Sequence, residues 1–422
     1  MNSLRSRGTE ARRAACAALA AAARDLFDMG RNDLALPVAK MALEEDPSFG
    51  NAHSTMAGIL DTFGQFEEAL QHWGEAARLT SGSAQQQLNH ALAVLGEGDW
   101  EIGLPLYESR MAAANWASAA VRDGWDKVSE RRLRPGMSLR DKKVLVVAEQ
   151  GLGDTIWSLR FLHRLAAEGA HVTLAASAKL KPLLESLSPL PELLSPPPEI
   201  ADARLDLVAA SRQCDYILPA MSLPWILGVR PAVEYRGPVP YLVPDTGMRE
   251  VWRAKYQAAL PRAERFVGVI WRVNPEGVAA RARSIAVTEL APLGDLEGVG
   301  FVNLQGGGPE GRAALATVLP RVYDPLAGDG VGMPLNAFAA AMAATDIVLS
   351  VDTMGAHLAG AMGHPGIVLM PTAPSFMFYW GHRGEGTTWY PSLRLVRQSC
   401  FGDWQQPVSA ARVLLANDFT GG

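Results

Sequence analysis

Acidic and hydroxyl side chains follow two apolar runs of the sequence, at points where a strand would pass into a helix. Asp154 follows the run Val144–Ala148, whereas Asp352 and Thr353 follow the run Ile347–Leu349. A carboxylate at the carboxyl end of a buried parallel strand can accept a proton from a hydroxyl nucleophile. A helix that begins at such a turn presents free backbone N–H groups and a partial positive charge, which suit a phosphate. The two loops therefore predict acid–base chemistry at the first and anion binding at the second.

Both loops also have a purely structural interpretation. Asp and Thr are frequent N-cap residues, so Asp154, Asp352 and Thr353 could serve only to begin helices. Glu149 competes with Asp154 as the base, although we expect it to belong to the preceding strand. His357, one turn into the second helix, could be a packed histidine instead of a ligand contact. The loops by themselves leave these alternatives open.

A third loop supplies cations. It follows the apolar run Phe266–Trp271 and contains Arg272, Asn274 and Arg283. Arginine suits phosphate because its planar fork can bind two oxygens at once. An exposed charged loop is the alternative. After the next apolar run, Gln305 begins a stretch of glycines that would let a ligand approach the backbone, or would form only a flexible turn.

The elements that would position these loops alternate as in α/β proteins. A helix over Ile156–Glu168 and a strand over His171–Ala175 follow the first loop, without the glycine spacing or the ribose-binding acid of a dinucleotide site. A helix at about 246–259 then leads to a second series of apolar strands. The sequence predicts two doubly wound domains with parallel sheets, at residues 141–250 and 251–422.

Five further segments carry predictions of their own. Lys179–Leu187 is expected to be a helix, and Pro189–Pro198 a loop. The aromatic segment Phe376–Tyr390 would either shape a ligand pocket or form a hydrophobic plug between domains. Leu393–Arg397 is predicted as the last strand, and Val408–Ala416 as the terminal helix.

The amino-terminal segment 1–130 contains a repeat. Gly30, Gly64 and Gly98 recur at equal intervals along it. A period of about 34 residues predicts helix–turn–helix units and resembles the tetratricopeptide repeat. Stacked units of this kind leave a concave groove that receives a peptide or a partner's helix, and a short helical brace is the alternative. The connector at 118–140 shows no clear period.

Composition limits the other function classes. The chain has 422 residues, enough for two or three domains, and a net charge of −5, which does not favour nucleic acid as a partner. Cys16, Cys214 and Cys400 form no disulfide or zinc pattern, so we expect a reducing, cytoplasmic environment. The run Ala14–Ala23 imitates a signal peptide, but Arg24 follows at once and favours a folded helix. No apolar run is long enough to predict a transmembrane segment.

Two motifs carry a family resemblance. Glu149-Gln-Gly-Leu-Gly-Asp-Thr155 and the stretch Ser350–Pro365 resemble motifs of family-9, heptosyltransferase-like glycosyltransferases with the GT-B fold, and in particular of the bacterial branch that carries tetratricopeptide repeats in front. Trp271-x-x-Asn274, Arg283-Ser-Ile285 and Trp389-Tyr-Pro391 also fit that branch. The resemblance covers nearly the whole chain. It implies metal-independent sugar transfer from a nucleotide-sugar substrate, with no further cofactor.

By this resemblance Asp154 corresponds to the base that takes a proton from the acceptor hydroxyl. It also implies a protein acceptor that the repeats bind, because related repeat-bearing bacterial transferases modify flagellin. The candidate donor-binding residues are Asp352, Thr353, Met354, Gly355, His357, Arg283, Arg272, Asn274 and Gln305.

Two other functions remain as alternatives. The same chemistry could act on a lipid or polysaccharide acceptor. The chain could also be a non-catalytic scaffold, in which the repeats bind a partner and a degenerate transferase domain only packs or senses a nucleotide sugar. The joint presence of Asp154, Asp352, Thr353 and His357 favours the enzyme.

Overall fold

The computed structural model describes most of the chain. The described ranges are 2–114, 116–117, 119–187, 190–195, 206–230, 239–273, 282–305, 309–325, 333–372 and 378–417. The candidate site residue Asn274, the glycines at 306–308 and Phe376 lie outside these ranges. Among the helices that the ranges contain, none has both the length and the apolar character needed to cross a bilayer.

The chain folds into two compact units. The first comprises Met1–Ala114, Pro371–Arg383 and Ser399–Gly402, and the second comprises Asn115–Met370, Gly384–Gln398 and Asp403–Gly422. The amino-terminal stretch of the first unit thus ends at residue 114, whereas the sequence led us to expect a boundary at 130.

Hydrogen bonds explain why the connector belongs to the second unit. The Arg131 guanidinium donates to the backbone oxygens of Ser211 and Cys214, and Leu133 N donates to Ile217 O at 3.0 Å. These bonds attach the residues after 128 to the edge of a parallel sheet.

The first unit is a stack of helical hairpins. Its helices are α1 (Asn2–Asp28), α2 (Asn32–Glu45), α3 (Gly50–Thr62), α4 (Phe66–Leu79), α5 (Ala84–Gly96) and α6 (Trp100–Tyr107), followed by a 3-10 helix at Glu108–Ala112. Helices α2, α4 and α6 begin at equal intervals, the same intervals that separate the repeated glycines, and each helix packs on the next. Buried alanines such as Ala35, Ala57 and Ala69 let the helices approach closely. The repeat in the sequence is therefore a repeat in the structure.

Part of the aromatic segment completes this unit. The Phe378 ring meets Trp100 and Tyr107 edge to face, at centroid distances of 5.3 and 5.1 Å. The His382 ring stacks on Phe66 at 4.5 Å. These rings are packed against helices of their own unit, so this part of the segment is hydrophobic packing within the first unit.

The second unit contains two parallel sheets. The first sheet has the order β3-β2-β1-β4, from β1 (Lys143–Val147), β2 (His171–Ala175), β3 (Glu192–Leu194) and β4 (Tyr216–Pro219). The second sheet has the order β10-β9-β8-β5-β6-β7, from β5 (Arg265–Ile270), β6 (Val299–Asn303), β7 (Val322–Tyr323), β8 (Ile347–Val351), β9 (Gly366–Met370) and β10 (Leu393–Arg397). The prediction of an α/β protein with parallel sheets and a helical amino-terminal part is confirmed.

Helices connect these strands. They are α7 (Ala119–Val128), α8 (Leu152–Leu159), α9 (Leu162–Ala167), α10 (Lys181–Leu184), α11 (Leu207–Ser211), α12 (Leu223–Ile226), α13 (Thr246–Ala259), α14 (Pro309–Ala316), α15 (Leu335–Ala343), α16 (Met354–Ala361) and α17 (Gln405–Ala416). The central strands are buried throughout, as expected of sheets covered on both faces.

The helix predicted over Ile156–Glu168 is in fact two helices, α8 and α9, with a break at Arg160 and Phe161. Arg160 Nε donates to Trp157 O at 3.0 Å, and His163 Nδ1 lies 2.6 Å from Arg160 O. Side chains thus occupy carbonyls that a continuous helix would use. Propensity could not reveal this, since it depends on where the Arg160 side chain is buried.

Two shorter predictions also differ from the structure. The expected helix over Lys179–Leu187 is reduced to α10 and a 3-10 turn at Ala178–Leu180. The expected loop at Pro189–Pro198 contains β3, which pairs with β2 at the sheet edge. Prolines are tolerated next to an edge strand, because part of its backbone needs no ladder partner.

A buried carboxyl in the helical unit generates a testable pH dependence. Asp61 Oδ2 accepts a hydrogen bond from Trp73 Nε1 at 2.9 Å, and burial raises the pKa of Asp61 to about 7. Because the folded state prefers the neutral carboxyl, this group's contribution to stability is complete below about pH 4 and is lost as the pH rises through about 7.

We expect Asp61→Asn to flatten the pH dependence of unfolding. Between pH 5 and 7 the wild-type free energy of unfolding should fall relative to the variant by up to about 1.4 kcal/mol per pH unit. Urea denaturation followed by circular dichroism at several pH values measures this difference. Asp33→Asn is the control, since Asp33 is exposed and Arg31 lowers its pKa. Parallel pH profiles for wild type and Asp61→Asn would contradict the assignment.

Candidate functional site

The second sheet has the strand order in which ligands bind at a topological switch point. Strands β5 and β8 are neighbours whose connections run to opposite sides of the sheet, so a crevice opens at their carboxyl ends. In the parallel register Ile270 pairs with Ser350. Arg272 and Asp352, each two residues further on, therefore leave the sheet side by side.

An ion pair occupies this crevice. Arg283 Nη1 lies 3.0 Å from Asp352 Oδ2 and 3.4 Å from Asp352 O. Asp352 is 2 % exposed, whereas Arg283 is partly exposed. A buried carboxylate requires such a partner, because removal of its charge from water is costly. The structure thus brings together two residues that are far apart in sequence and that the sequence predicted for one site.

Two hydrogen bonds join the ends of the cationic loop. Val273 N donates to Ser284 Oγ at 3.0 Å, and Ile285 N donates to Trp271 O at 2.9 Å. The two ends of the loop are thereby held together beside β5, which places Arg283 over the crevice.

Gln305 supports the same loop. Its Oε1 accepts hydrogen bonds from Trp271 N at 3.1 Å and Arg272 N at 2.8 Å, and its Nε2 donates to Arg272 O at 3.0 Å. The buried amide thus makes hydrogen bonds to the backbone after β5 of the kind that a neighbouring strand would make. The sequence predicted that Gln305 contacts the nucleotide-sugar donor. In the structure its side chain binds the backbone of Arg272.

Helix α16 begins at the crevice. Thr353 is its N-cap residue, with extended backbone angles of φ −144° and ψ 171°, and Thr353 Oγ1 lies 3.1 Å from Ser350 Oγ. A methyl group on Gly355 would come within 2.3 Å of Ile270 Cδ1. Glycine at 355 therefore allows the first turn of the helix, which starts at Met354, to approach β5.

His357 is packed below this turn. Its ring is buried, and Nδ1 lies 2.9 Å from Tyr390 Oη. Burial lowers the pKa of His357 to about 3, and the positive charges of Arg160 and Arg283 contribute to this shift. The imidazole is therefore neutral near pH 7, and the structure favours the packed histidine among the alternatives left open by the sequence.

Asp154 lies in the first turn of α8. Its Oδ2 accepts a hydrogen bond from Gly151 N at 3.0 Å, which satisfies the N–H group of the residue before the helix. The Asp154 side chain is partly exposed. The N-cap residue of α8 is Gly151 and not Asp154, which instead accepts the Gly151 N–H from the third helical position. This hydrogen bond does not exclude a second role, since a carboxylate has lone pairs for more than one partner.

Glu149 has a different position from the one expected. Strand β1 ends at Val147, so Glu149 lies beyond the strand. Its buried carboxylate accepts a hydrogen bond from Met221 N at 3.1 Å and joins the residues after β1 to those after β4. A base that must meet a substrate is better provided by the more exposed Asp154.

The loops of the two sheets meet. A methyl group on Gly153 would come within 2.7 Å of His357 Cδ2 and 3.4 Å of the Met354 Cα. The first turn of α8 therefore packs on the first turn of α16. This contact sets the Asp154 loop against the turn that carries Asp352 and Thr353.

Sequence reasoning missed Arg160. It is 1 % exposed, and it donates from Nη1 to Trp389 O at 2.7 Å and from Nη2 to Tyr241 Oη at 3.2 Å. Its guanidinium also lies 4.5 Å from the ring centre of Tyr390, the partner of His357. The only sequence signal is a charged residue inside the apolar stretch after Asp154.

Within the described ranges, no group of three or more His, Cys, Asp or Glu side chains could hold a metal ion.

Comparison with known proteins adds the following. No protein-family model matches the chain. The chain is 28 % identical to Protein FlbA of Caulobacter vibrioides. The alignment is 427 residues long with its gaps, and it covers 90 % of this chain and 69 % of that protein.

Solved structures also resemble the chain. A family-9 glycosyl transferase from Veillonella parvula is 16 % identical, with a TM-score of 0.45, over 62 % of this chain and 87 % of the other. The E. coli ADP-heptose lipopolysaccharide heptosyltransferase II is 17 % identical, with a TM-score of 0.44, over 65 % and 98 %. The Thermobaculum terrenum O-GlcNAc transferase is 13 % identical, with a TM-score of 0.29, over 97 % and 91 %.

The contact between α8 and α16 predicts the effect of Gly153→Ala. The added methyl group has to push the two helices apart, and we expect a loss of about 2 kcal/mol in the free energy of unfolding. Gly247→Ala is a matched control, because Gly247 is also the second residue of a helix and its methyl group would meet only Asp245 Oδ1, at 3.5 Å. Chemical denaturation compares the two. Equal stabilities would show that Gly153 is not tightly packed.

The buried guanidinium generates a second prediction. Arg160→Lys keeps the charge but removes the planar fork that reaches Trp389 and Tyr241, so we expect a loss of about 3 kcal/mol in unfolding free energy. Arg212→Lys, at an exposed arginine of the same unit, should change stability by less than about 0.5 kcal/mol. Denaturant titration of both variants makes the comparison. A small effect at Arg160 would mean that a lysine ammonium can satisfy the same partners.

Proposed function

We propose that this protein is a GT-B glycosyltransferase that moves a sugar from a nucleotide-sugar donor to an acceptor hydroxyl. The contact of Gly153 with Met354 and His357 carries the proposal, because Asp154 is the next residue and Met354 begins the helix to which we assign the donor phosphates. The resemblance of both loops to the motifs of family-9 enzymes supports the same chemistry.

The donor phosphates are assigned to the crevice beyond β5 and β8. Arg272 and Arg283 lie at its rim, and the first N–H groups of α16, those of Met354 and Gly355, begin there. These groups would stabilise the negative charge that develops on the phosphate as it leaves. In this proposal Asp352 and Thr353 hold the sugar and the diphosphate, and Gln305 maintains the backbone of the arginine loop. Asn274 stays a candidate of the same loop.

Asp154 is assigned as the general base. As the acceptor oxygen forms its bond to the anomeric carbon, its proton passes to the Asp154 carboxylate. The bond from that carbon to the phosphate oxygen breaks, and the nucleotide leaves with the electron pair. The hydrogen bond from Gly151 N orients the carboxylate, so the structural role and the catalytic role are compatible.

The acceptor is proposed to be a protein, of the flagellin type, that the helical unit recruits in the cytoplasm. The stack of evenly repeated hairpins supports a tetratricopeptide-like array, whose role is to hold a partner's segment. Transfer is proposed to need no metal, since the arginines and the helix terminus would take over charge stabilisation. Activity that is unchanged after treatment with EDTA is the corresponding test.

We expect Asp154→Asn to abolish transfer and to keep donor binding. Loss of the base should lower kcat by at least about 100-fold, because general base catalysis contributes roughly that much. A thermal-shift screen with CDP-, CMP-, UDP-, GDP- and ADP-sugars identifies the donor, and intact-mass measurement of the acceptor protein follows transfer.

Asp245→Asn is the matched control, because the Asp245 carboxylate also accepts a backbone N–H bond at a helix start, from Met248 N at 2.7 Å, and has no proposed catalytic role. It should retain wild-type turnover. Unchanged turnover in Asp154→Asn would remove Asp154 from the mechanism. Absence of any thermal shift across the donor screen would favour the scaffold without catalysis.

A further inference from the structure

Two histidines of the middle hairpin face each other. His53 on α3 and His72 on α4 place their Nδ1 atoms 2.8 Å apart, and their ring centres are separated by 5.0 Å with a tilt of 39°. Both rings are partly exposed, and neither belongs to the candidate site of the second unit.

The hydrogen bonds define which nitrogens carry protons. His53 Nε2 lies 2.9 Å from Pro47 O. Because a carbonyl oxygen can only accept, His53 Nε2 must be the protonated nitrogen of the neutral ring. His53 Nδ1 then presents a lone pair towards His72. This arrangement, an imidazole fixed by a backbone carbonyl with its other nitrogen bare, is the one that metal-binding histidines adopt.

The surrounding charges favour a cation. Glu68 and Glu75 lie one turn before and one turn after His72 on the same face of α4, and both act on the pKa of His72 as negative charges. Glu75 is itself paired with Arg78 at 2.5 Å. An ion bound between the two imidazoles would therefore experience the negative charge of Glu68, whereas Arg78 offsets part of the charge of Glu75.

We propose that His53 and His72 form a two-imidazole site for a divalent late transition metal, Cu²⁺ or Ni²⁺, with water in the remaining coordination positions. Metal–imidazole bonds are about 2.1 Å long, so two nitrogens at a right angle are about 3 Å apart and two at a tetrahedral angle about 3.4 Å. The hydrogen-bonded nitrogens are 2.8 Å apart, so the pair has to open less for the right angle, which Cu²⁺ and Ni²⁺ adopt, than for tetrahedral Zn²⁺.

Metal binding would replace one hydrogen bond by two coordination bonds. The ion takes the place of the proton that His72 Nδ1 now shares with His53, and that proton moves to the other nitrogen of His72. Because the two histidines lie on successive helices, the ion would crosslink the middle hairpin of the stack. The ordinary alternative is a hydrogen-bonded histidine pair that binds nothing.

Titration of the full-length protein with CuCl₂, NiCl₂ and ZnCl₂ tests the proposal. The exposed thiol of Cys400 competes for these ions, so a Cys400→Ser background is used throughout. We expect one Cu²⁺ or Ni²⁺ per chain, a rise in the melting temperature, and an electron paramagnetic resonance spectrum of the copper form with coupling to two nitrogens. Zinc should bind more weakly than either.

His53→Gln and His72→Gln should each raise the dissociation constant for copper by on the order of tenfold or more. His90→Gln is the control, since His90 is half-buried in the same unit and packs beside Gly74. It should leave the affinity unchanged, and circular dichroism verifies that all three variants fold. Equal copper affinity in His53→Gln and wild type would overturn the proposal, as would the absence of copper binding to the wild-type chain.

Discussion

One buried guanidinium organises the second unit. Arg160 lies at the break between α8 and α9, and its donors reach carbonyls of Trp157 and Trp389 and the hydroxyl of Tyr241. A charge at this depth is tolerated only when its hydrogen bonds are made and polarisable ring faces surround it, because desolvation otherwise costs several kcal/mol. Three distant stretches of the chain are thereby held around one group. Through Tyr390 the same group contacts His357, which lies on α16, the helix that begins at Met354.

The second constraint is the shared edge of parallel strands. In both sheets the order begins 3-2-1-4, so the residues after the first and fourth strands come together. In the first sheet Glu149 bonds to Met221 N across this point. In the second, Arg283 bonds to Asp352. In each sheet a buried acid, Glu149 or Asp352, thus bonds across the switch point, whereas the proposed base Asp154 is partly exposed.

The helical unit is stabilised by contacts between successive hairpins. Its hairpins repeat at regular intervals and bury small side chains between helices, so each hairpin depends on its neighbours. A segment from the carboxyl-terminal part also belongs to it, and the Phe378 ring takes part in its aromatic packing. The sequence could not predict this, since the repeat pattern carries no information about a distant segment that packs on it.

Sequence alone determined the elements with strong local signals. Apolar runs placed strands such as Leu393–Arg397, and glycine spacing placed the hairpins, because each depends on near neighbours. The helix expected at about 246–259 is observed at Thr246–Ala259. Tertiary structure alone decided the break at Arg160, the edge strand β3, the burial of His357 and the structural use of Gln305. Each of these depends on a partner that is distant in the sequence, or on a side chain's depth, and no local pattern encodes either. The chemistry of the site could thus be predicted as a set of residue types, whereas its geometry required the fold.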